Sequence, residues 1–292
     1  MTPTRLCWLY NTFYYVPTAT DQNTVRVAGW LDEYLGTADL MKFMWEFCQT
    51  TDVNYTVERA NGSRYDPWHP THEANLGMQY TQSITYPTPL IYYSTGRNRD
   101  FDPSMEQPTS DNWLFAWLTY VLDQKKILQT IGAPYGIPAP QVPPDYATTL
   151  CTLFLKFAGH GVSVLFSSGN YRVGAGDCKD DFRKVLFSPY FPALCTYDVL
   201  SPFQQYKNAG TSPSCLPHCR SFAGPWVASI GGTRGIVPKV MAEFSAGGLS
   251  IHFSCPDYQE VAVPPFLQRL GNQYKGLYKC VFCHDLTLPI LT

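Results

Sequence analysis

Within the run HEANLGMQY, residues 72 to 80, a glutamate, Glu73, stands four residues before a glycine, Gly77. Leu76 and Tyr80 at helical spacing predict a helix that carries both on one face. Positions four apart on such a helix lie one above the other. Two carboxyls at that spacing would share a proton and push each other's pKa values apart, which is how acid and base roles are built from like groups. Here the second carboxyl is missing, because Gly77 has no side chain. His72 is adjacent to Glu73 in sequence but points away from it on a helix, so it reads as a surface histidine.

Other residues could carry chemistry. Cys280, Cys283 and His284 in KCVFCH have the spacing of covalent haem attachment, and Cys215 with Cys219 forms a second close cysteine pair. No apolar helical scaffold follows KCVFCH, so a chance arrangement or a disulfide is preferred to haem or zinc, and no metal site is expected. Cys7, Cys48, Cys151, Cys178, Cys195 and Cys255 are scattered along the chain. Sequons at Asn54-Tyr55-Thr56 and Asn61-Gly62-Ser63 matter only in a secretory compartment.

The elements that must position these residues alternate between β-rich and helical runs, which predicts an α/β domain with a mostly parallel sheet. The expected strands are TVRVAGW, PLIYYST, KKILQTIG, GVSVLFSSG and PWVASIGGT. Expected helices are ADLMKFMWEFCQT capped by Thr37, NWLFAWLTYVLDQ behind Asp111, and DYATTLCTLFLKFAGH behind Pro143-Pro144, ending near Gly159. Their apolar residues recur three and four apart and can pack on a sheet. Residues 196–223 show neither period, and a structureless loop of that length is improbable inside a compact domain.

Composition narrows the functional classes. The 292 residues include 45% hydrophobic side chains, enough for a sizeable core. With 21 basic and 23 acidic residues, no nucleic-acid partner is expected. No apolar run reaches the roughly 18 residues that span a bilayer, so no membrane partner is expected either. The N-terminus lacks the basic and apolar regions of a signal peptide.

Several blocks, in order, resemble one family. HEANLGMQY resembles the E-A-N-L-D-x-Q-Y helix of the sedolisins, the serine-carboxyl peptidases that include fungal secreted tripeptidyl peptidases. LFSSGNYRVG resembles their L-F-x-S-G-D-x-G-V-G turn. FPALC with PWVASIGGT, FSAGGLS, PDYQEVAV and the opening TPTRLCWLYN are similar to further family blocks. The resemblance implies a subtilisin-like parallel sheet flanked by helices. It also implies hydrolysis of peptide bonds from polypeptide N-termini by a serine whose proton passes to a glutamate, itself oriented by an aspartate one helical turn on. A second aspartate donates to the oxyanion in acid.

Carried onto this sequence, the resemblance puts the base at Glu73, the vacated orienting position at Gly77 and the oxyanion position at Asn170, where the family has aspartate. An amide at Asn170 can still donate to an oxyanion, without the requirement for acid pH. Gly132, Gly247 and Gly248 fall in segments that border the substrate cleft. QTIGAPYGIPAP lacks the acidic run of that cleft, and Ala246 and Leu249 replace a glycine and an aromatic. The family's G-T-S-x-S/A-x-P serine motif and its calcium segment are not found before Thr292. Gly210-Thr211-Ser212-Pro213 stands in the wrong order along the fold to supply the serine.

The expected domain is therefore a partial sedolisin-like peptidase over residues 1–279, truncated before the catalytic-serine and calcium-binding segments. It is interrupted at 196–223 and followed by a non-homologous tail at 280–292, both stretches reading as translated introns or gene-model errors. The expected partners are peptides or proteins, the cofactors none, and the chain is expected to be catalytically silent. A silent chain is either a binder of peptides in a relic cleft or a pseudogene or mis-spliced product without function, and the other class is a longer, active peptidase with a damaged relay. Family members are secreted or lysosomal; the location of this chain is open.

Overall fold

The β-branched and aromatic runs become strands and the apolar runs of period three and four become helices in the computed structural model, which describes residues 1–96, 113–125, 129–174, 187, 189–195, 226–250, 252–253, 257–259, 261–273 and 277. In chain order these are α1 (Pro3–Leu9), β1 (Val25–Gly29), α2 (Thr37–Cys48), β2 (Tyr55–Ala60), α3 (His72–Thr85), β3 (Leu90–Thr95), α4 (Trp113–Leu122) and β4 (Thr130–Ala133). There follow β5 (Ile137–Pro138), α5 (Pro144–Gly159), β6 (Ser163–Ser167), β7 (Tyr190–Phe191), β8 (Ala228–Ile230) and, after two short strands, α6 (Val263–Leu270).

The chain divides into two compact units. One comprises Met1–Tyr135, Lys156–Ser167 and Thr233–Val240; the other comprises Gly136–Leu155, Ser168–Gly232 and Met241–Thr292. In the first unit, strands run side by side in the order β2, β3, β1, β4, β6. All four pairings are parallel, with Val25 opposite both Leu90 and Thr130, Tyr55 opposite Leu90, and Thr130 opposite Ser163. The central strands β1 and β3 are buried at nearly every position. That is the pattern of a parallel strand covered on both faces, and it explains why their sequences read as continuous apolar runs.

Two cores hold this unit. Val27, Leu35, Leu40, Met44, Ala74, Met78, Leu90 and Tyr92 form one, where α2 and α3 meet the sheet. The other is aromatic. Trp30, which follows β1, has ring centroids 5.0 Å from Trp113, 5.2 Å from Trp117 and 6.0 Å from Phe166. Trp117 also faces Phe157 and Tyr93. Trp30 and Trp117 are fully buried, and neither indole N–H has a hydrogen-bond partner among the described residues.

In the second unit β5 and β7 pair antiparallel, with Ile137 opposite Phe191. Cys151 of α5 is bonded to Cys195, 44 residues on. Both cysteines are among those scattered in the sequence, where no local spacing connects them. His252 Nε2 lies 2.9 Å from the Ala139 carbonyl, and burial lowers the pKa of its ring.

The helices begin and end close to where their sequences predict. Gly36 rather than Thr37 is the N-cap of α2, because Thr37 already has helical geometry. Asp111, the expected cap of α4, lies outside the described residues, as do the stretches 196–223 and 280–292 with their four paired cysteines and His284. Among the elements not foreseen are α1, which starts at Pro3; β2, whose YTVERA mixes charged and apolar residues at a sheet edge; the two-residue strands β5 and β7; and the short α6. Among the described residues no helix is long and apolar enough to cross a membrane.

Candidate functional site

α3 begins at His72, directly after its N-cap Thr71. The Thr71 side chain makes no cap bond to its own helix. It turns instead to the segment that follows β1. Thr71 Oγ1 accepts the Tyr34 N–H at 2.9 Å and donates to the Tyr34 carbonyl at 3.3 Å, while the Thr71 N–H donates to the same carbonyl at 2.9 Å. One turn on, Asn75 Oδ1 accepts the Gly36 N–H at 2.9 Å and its amide nitrogen donates to Asp39 at 2.7 Å. Residues 34 to 36 are thereby laced along the first turn of α3.

Glu33 directly precedes the laced residues, and its charge acts on Glu73. The turn from Trp30 to Glu33 carries Leu31 and Asp32, both at positive φ, 58° and 61°. Non-glycine residues in that region are uncommon, and a bulky one such as leucine is held there only by its surroundings. One of those surroundings is Tyr92, whose hydroxyl donates to the Glu33 carbonyl at 2.8 Å. Tyr92 in turn needs Gly29, since a Cβ there would stand 1.9 Å from the tyrosine oxygen. Glu33 Oε2 is buried without a hydrogen-bond partner among the described residues. Glu73 is half-buried, and its carboxyl is raised above the ordinary glutamate value by burial and, next, by the Glu33 charge.

A raised carboxyl favours the fold most in acid. The contribution is fully present below the unfolded value, near 4.3, and is lost as pH rises through the higher folded value.

The helix face that enters the core carries Ala74, Met78 and Gln82. Leu76, which the sequence placed with Tyr80, is 54% exposed; the Tyr80 ring meets Phe43 instead. His72 is exposed, as expected. Gly77 lies over β1, and a Cβ there would sit 3.4 Å from Val27 Cγ1, an ordinary contact. Nothing in the structure demands a glycine at this position. Gly77→Ala is expected to stabilise the chain by about 1 kcal/mol through helix propensity, seen as a higher urea midpoint with an unchanged slope. A lower midpoint would show a packing requirement for the glycine.

Gly132 lies in β4 of the same unit, paired with Val27 and Leu165. A Cβ on it would meet only the Arg26 carbonyl, at 3.7 Å.

In the second unit three of the sequence blocks converge. The Ser168 N–H donates to the Ile230 carbonyl at 2.9 Å, the Ala246 N–H to Gly169 at 3.1 Å, and the Arg172 N–H to Phe244 at 3.0 Å. Buried Ser245 Oγ accepts the Gly232 N–H at 3.0 Å and lies 3.3 Å from Ser168 Oγ. The bend at Gly169 has φ +100°, with the Tyr190 ring where a side chain would be. Asn170 follows it and is exposed. Gly247 has open space around its α-carbon, and Gly248 has φ 159°. Among the described residues no group of three His, Cys, Asp or Glu comes together.

The comparisons bear on this arrangement. No family model matches the chain. A probable tripeptidyl-peptidase SED2 of Trichophyton verrucosum is 30% identical over 280 residues, which is 92% of this chain and 42% of the relative. Tripeptidyl-peptidase SED2 of Arthroderma otae is 31% identical over the same span. Pseudomonas sedolisin, a serine-carboxyl proteinase solved with two molecules of pseudo-iodotyrostatin, aligns with 89% of this chain and 66% of its own at a TM-score of 0.55 and 17% identity. The chain is similar in sequence to these tripeptidyl-peptidases and in fold to sedolisin. Its α/β fold, parallel strands flanked by helices, matches the sedolisin fold. The chain spans about two-fifths of the length of these two curated relatives, 42% in each case.

Of the sequence-predicted residues, Glu73, Gly77 and Gly132 belong to the first unit and Asn170, Gly247 and Gly248 to the second. Sequence reasoning missed Glu33. It stands in GWLDEYLG, where an acidic pair reads as a solvated turn, and its effect on Glu73 arises only in the folded chain.

Proposed function

We propose that this chain binds peptides at a site of peptidase type in which Glu73 keeps a proton-carrying carboxyl but peptide-bond cleavage is lost. The relatives' names, tripeptidyl-peptidases, support peptide or protein ligands as the class. Gly77 carries the reading of lost cleavage. It leaves the helix without a side chain one turn after Glu73, where a sedolisin has the carboxyl that orients the base, and the neighbour of that position is the apolar Val27 rather than a carboxyl. Removing one member of a catalytic triad costs several orders of magnitude in turnover. Asn170, an amide at the oxyanion position, removes the acid-dependent donor as well.

The test is a fluorogenic tripeptide assay at pH 4 with Glu73→Ala as control, run beside a binding titration of the same tripeptide in uncleavable form. Binding without turnover is expected. Turnover that Glu73→Ala abolishes would overturn the reading in favour of an active peptidase, and absence of binding would remove the peptide site.

A further inference from the structure

Strand β2 is a free edge of the sheet: β3 pairs with it on one side, and among the described residues no strand pairs with it on the other. The sequon Asn54-Tyr55-Thr56 lies where that strand begins. Alternation along the strand sorts its side chains. Val53, Tyr55 and Val57 pack against the core that α2 and α3 form on the sheet, whereas Asn54 and Thr56 fall on the opposite face and are exposed. The Asn54 backbone is fixed, its carbonyl accepting the Leu90 N–H at 2.9 Å. Neither its side-chain amide nor the Thr56 hydroxyl is engaged by another group among the described residues.

The second sequon, Asn61-Gly62-Ser63, forms the turn at the other end of β2, and its groups are committed. The amide nitrogen of half-buried Asn61, the atom that would carry a sugar, donates to the Gly96 carbonyl at 3.0 Å. Ser63 Oγ lies 2.6 Å from Oγ of buried Ser94. The turn meets Gly96 so closely that a Cβ there would stand 2.4 Å from the Asn61 carbonyl oxygen. A sugar on this nitrogen would have to enter the contact between two backbone segments, so the two sequons, alike in sequence, differ in what their side chains are free to do.

Sequons are used in the same oxidising compartments in which disulfides form and persist, and the Cys151–Cys195 bond belongs to that setting. We infer that Asn54 carries an N-linked oligosaccharide, that Asn61 carries none in the folded chain, and that the sugar at Asn54 shields the free edge of β2. In the transfer, Asn54 Nδ2 forms a bond to C1 of a sugar supplied by a lipid-linked diphosphate oligosaccharide. The bond from C1 to the phosphate oxygen breaks, the diphosphate leaves with the electron pair, and the amide gives up one proton. An edge strand offers unpaired N–H and C=O groups to any strand that reaches them, and natural sheets obstruct such edges. A bulky, hydrated sugar rooted one residue before β2 obstructs this one without entering the sheet.

The experiment expresses the 292-residue chain behind a cleavable leader in a eukaryotic secretory host and scores the folded chain in which the Cys151–Cys195 bond has formed. Peptide N-glycosidase in heavy-oxygen water converts each glycosylated asparagine to a labelled aspartate, and trypsin cuts after Arg59, so the two sequons are read on separate peptides. The label is expected on the Asn54 peptide and not on the Asn61 peptide. The intact chain should show one step of reduced gel mobility, lost in Thr56→Val, which keeps the β-branched shape and removes the acceptor hydroxyl. An unlabelled Asn54 peptide overturns the site, since a chain with the disulfide formed has met the compartment. Label on the Asn61 peptide overturns the discrimination between the sequons. Light scattering over a concentration series then compares the glycosylated chain with Thr56→Val, both first shown to melt cooperatively. Should Thr56→Val unfold, the enzyme-treated chain replaces it. Self-association at lower concentration without the sugar is expected, and equal behaviour refutes the shielding while leaving the site.

Discussion

Trp117→Ala lowers the unfolding free energy by about 3–5 kcal/mol, the usual range for emptying a buried tryptophan site. The side chain is fully buried and touches the rings of Trp30, Tyr93 and Phe157, which come from three separate stretches of the first unit. Truncation leaves a cavity walled by rigid aromatic rings that cannot collapse into it, so the loss lies near the top of the range. No lost hydrogen bond adds to it, because the Trp117 indole N–H has none to lose among the described residues. Guanidinium unfolding followed by far-UV circular dichroism reads the change. Trp8→Ala is the control: that residue is 55% exposed, and substitution should move the midpoint little. Equal effects at the two positions would refute the aromatic core.

The second large effect belongs to the other unit. Replacing Cys151 and Cys195 together by alanine is expected to destabilise it by about 4 kcal/mol, from the loop-closure entropy of a 44-residue separation. Both residues are buried, so the alanines leave only small voids. The same fall in the unfolding midpoint should follow when the unsubstituted chain is kept in reducing agent, and the double variant should be indifferent to that agent. A midpoint insensitive to both treatments would show that the bridge contributes nothing. Formation of this bond needs an oxidising compartment or oxidant.

How far the sequence discloses the fold depends on burial. β1 and β3 are legible because a strand inside a parallel sheet is selected for continuous apolar character, β6 because Val164 and Phe166 alternate inward with exposed Ser163 and Leu165, and α5 because its faces repeat at helical spacing. β2 escapes because Glu58 and Arg59 interrupt it at the sheet edge, where charge is tolerated. The helix of Glu73 is legible, but its buried face is not. Leu76 is the most apolar residue of the first turns, yet the core takes Ala74 and Met78, because the close approach of α3 to β1 and β3 favours the small and the unbranched. Gly77 is legible as a vacancy, since a missing side chain can be read from one letter. Glu33 is not, because its relation to Glu73 is tertiary: it exists only after β1, the turn at Leu31 and Asp32, and the Thr71 clamp have formed. The Cys151–Cys195 bond is hidden for the same reason.

The clamp between Thr71 and Tyr34 has a consequence for recognition. A loop that must be ordered by its ligand subtracts that ordering entropy from the affinity, typically about 0.5–1.5 kcal/mol for each side chain immobilised. Here the turn bearing Glu33 is already fixed to the helix bearing Glu73 by three hydrogen bonds that involve no ligand. The backbone that carries Glu33 and Glu73 is therefore set before any ligand arrives, and on the proposed reading a peptide need not order it. On the same proposed reading, loosening Thr71 would weaken peptide binding while leaving Glu73 chemically unchanged.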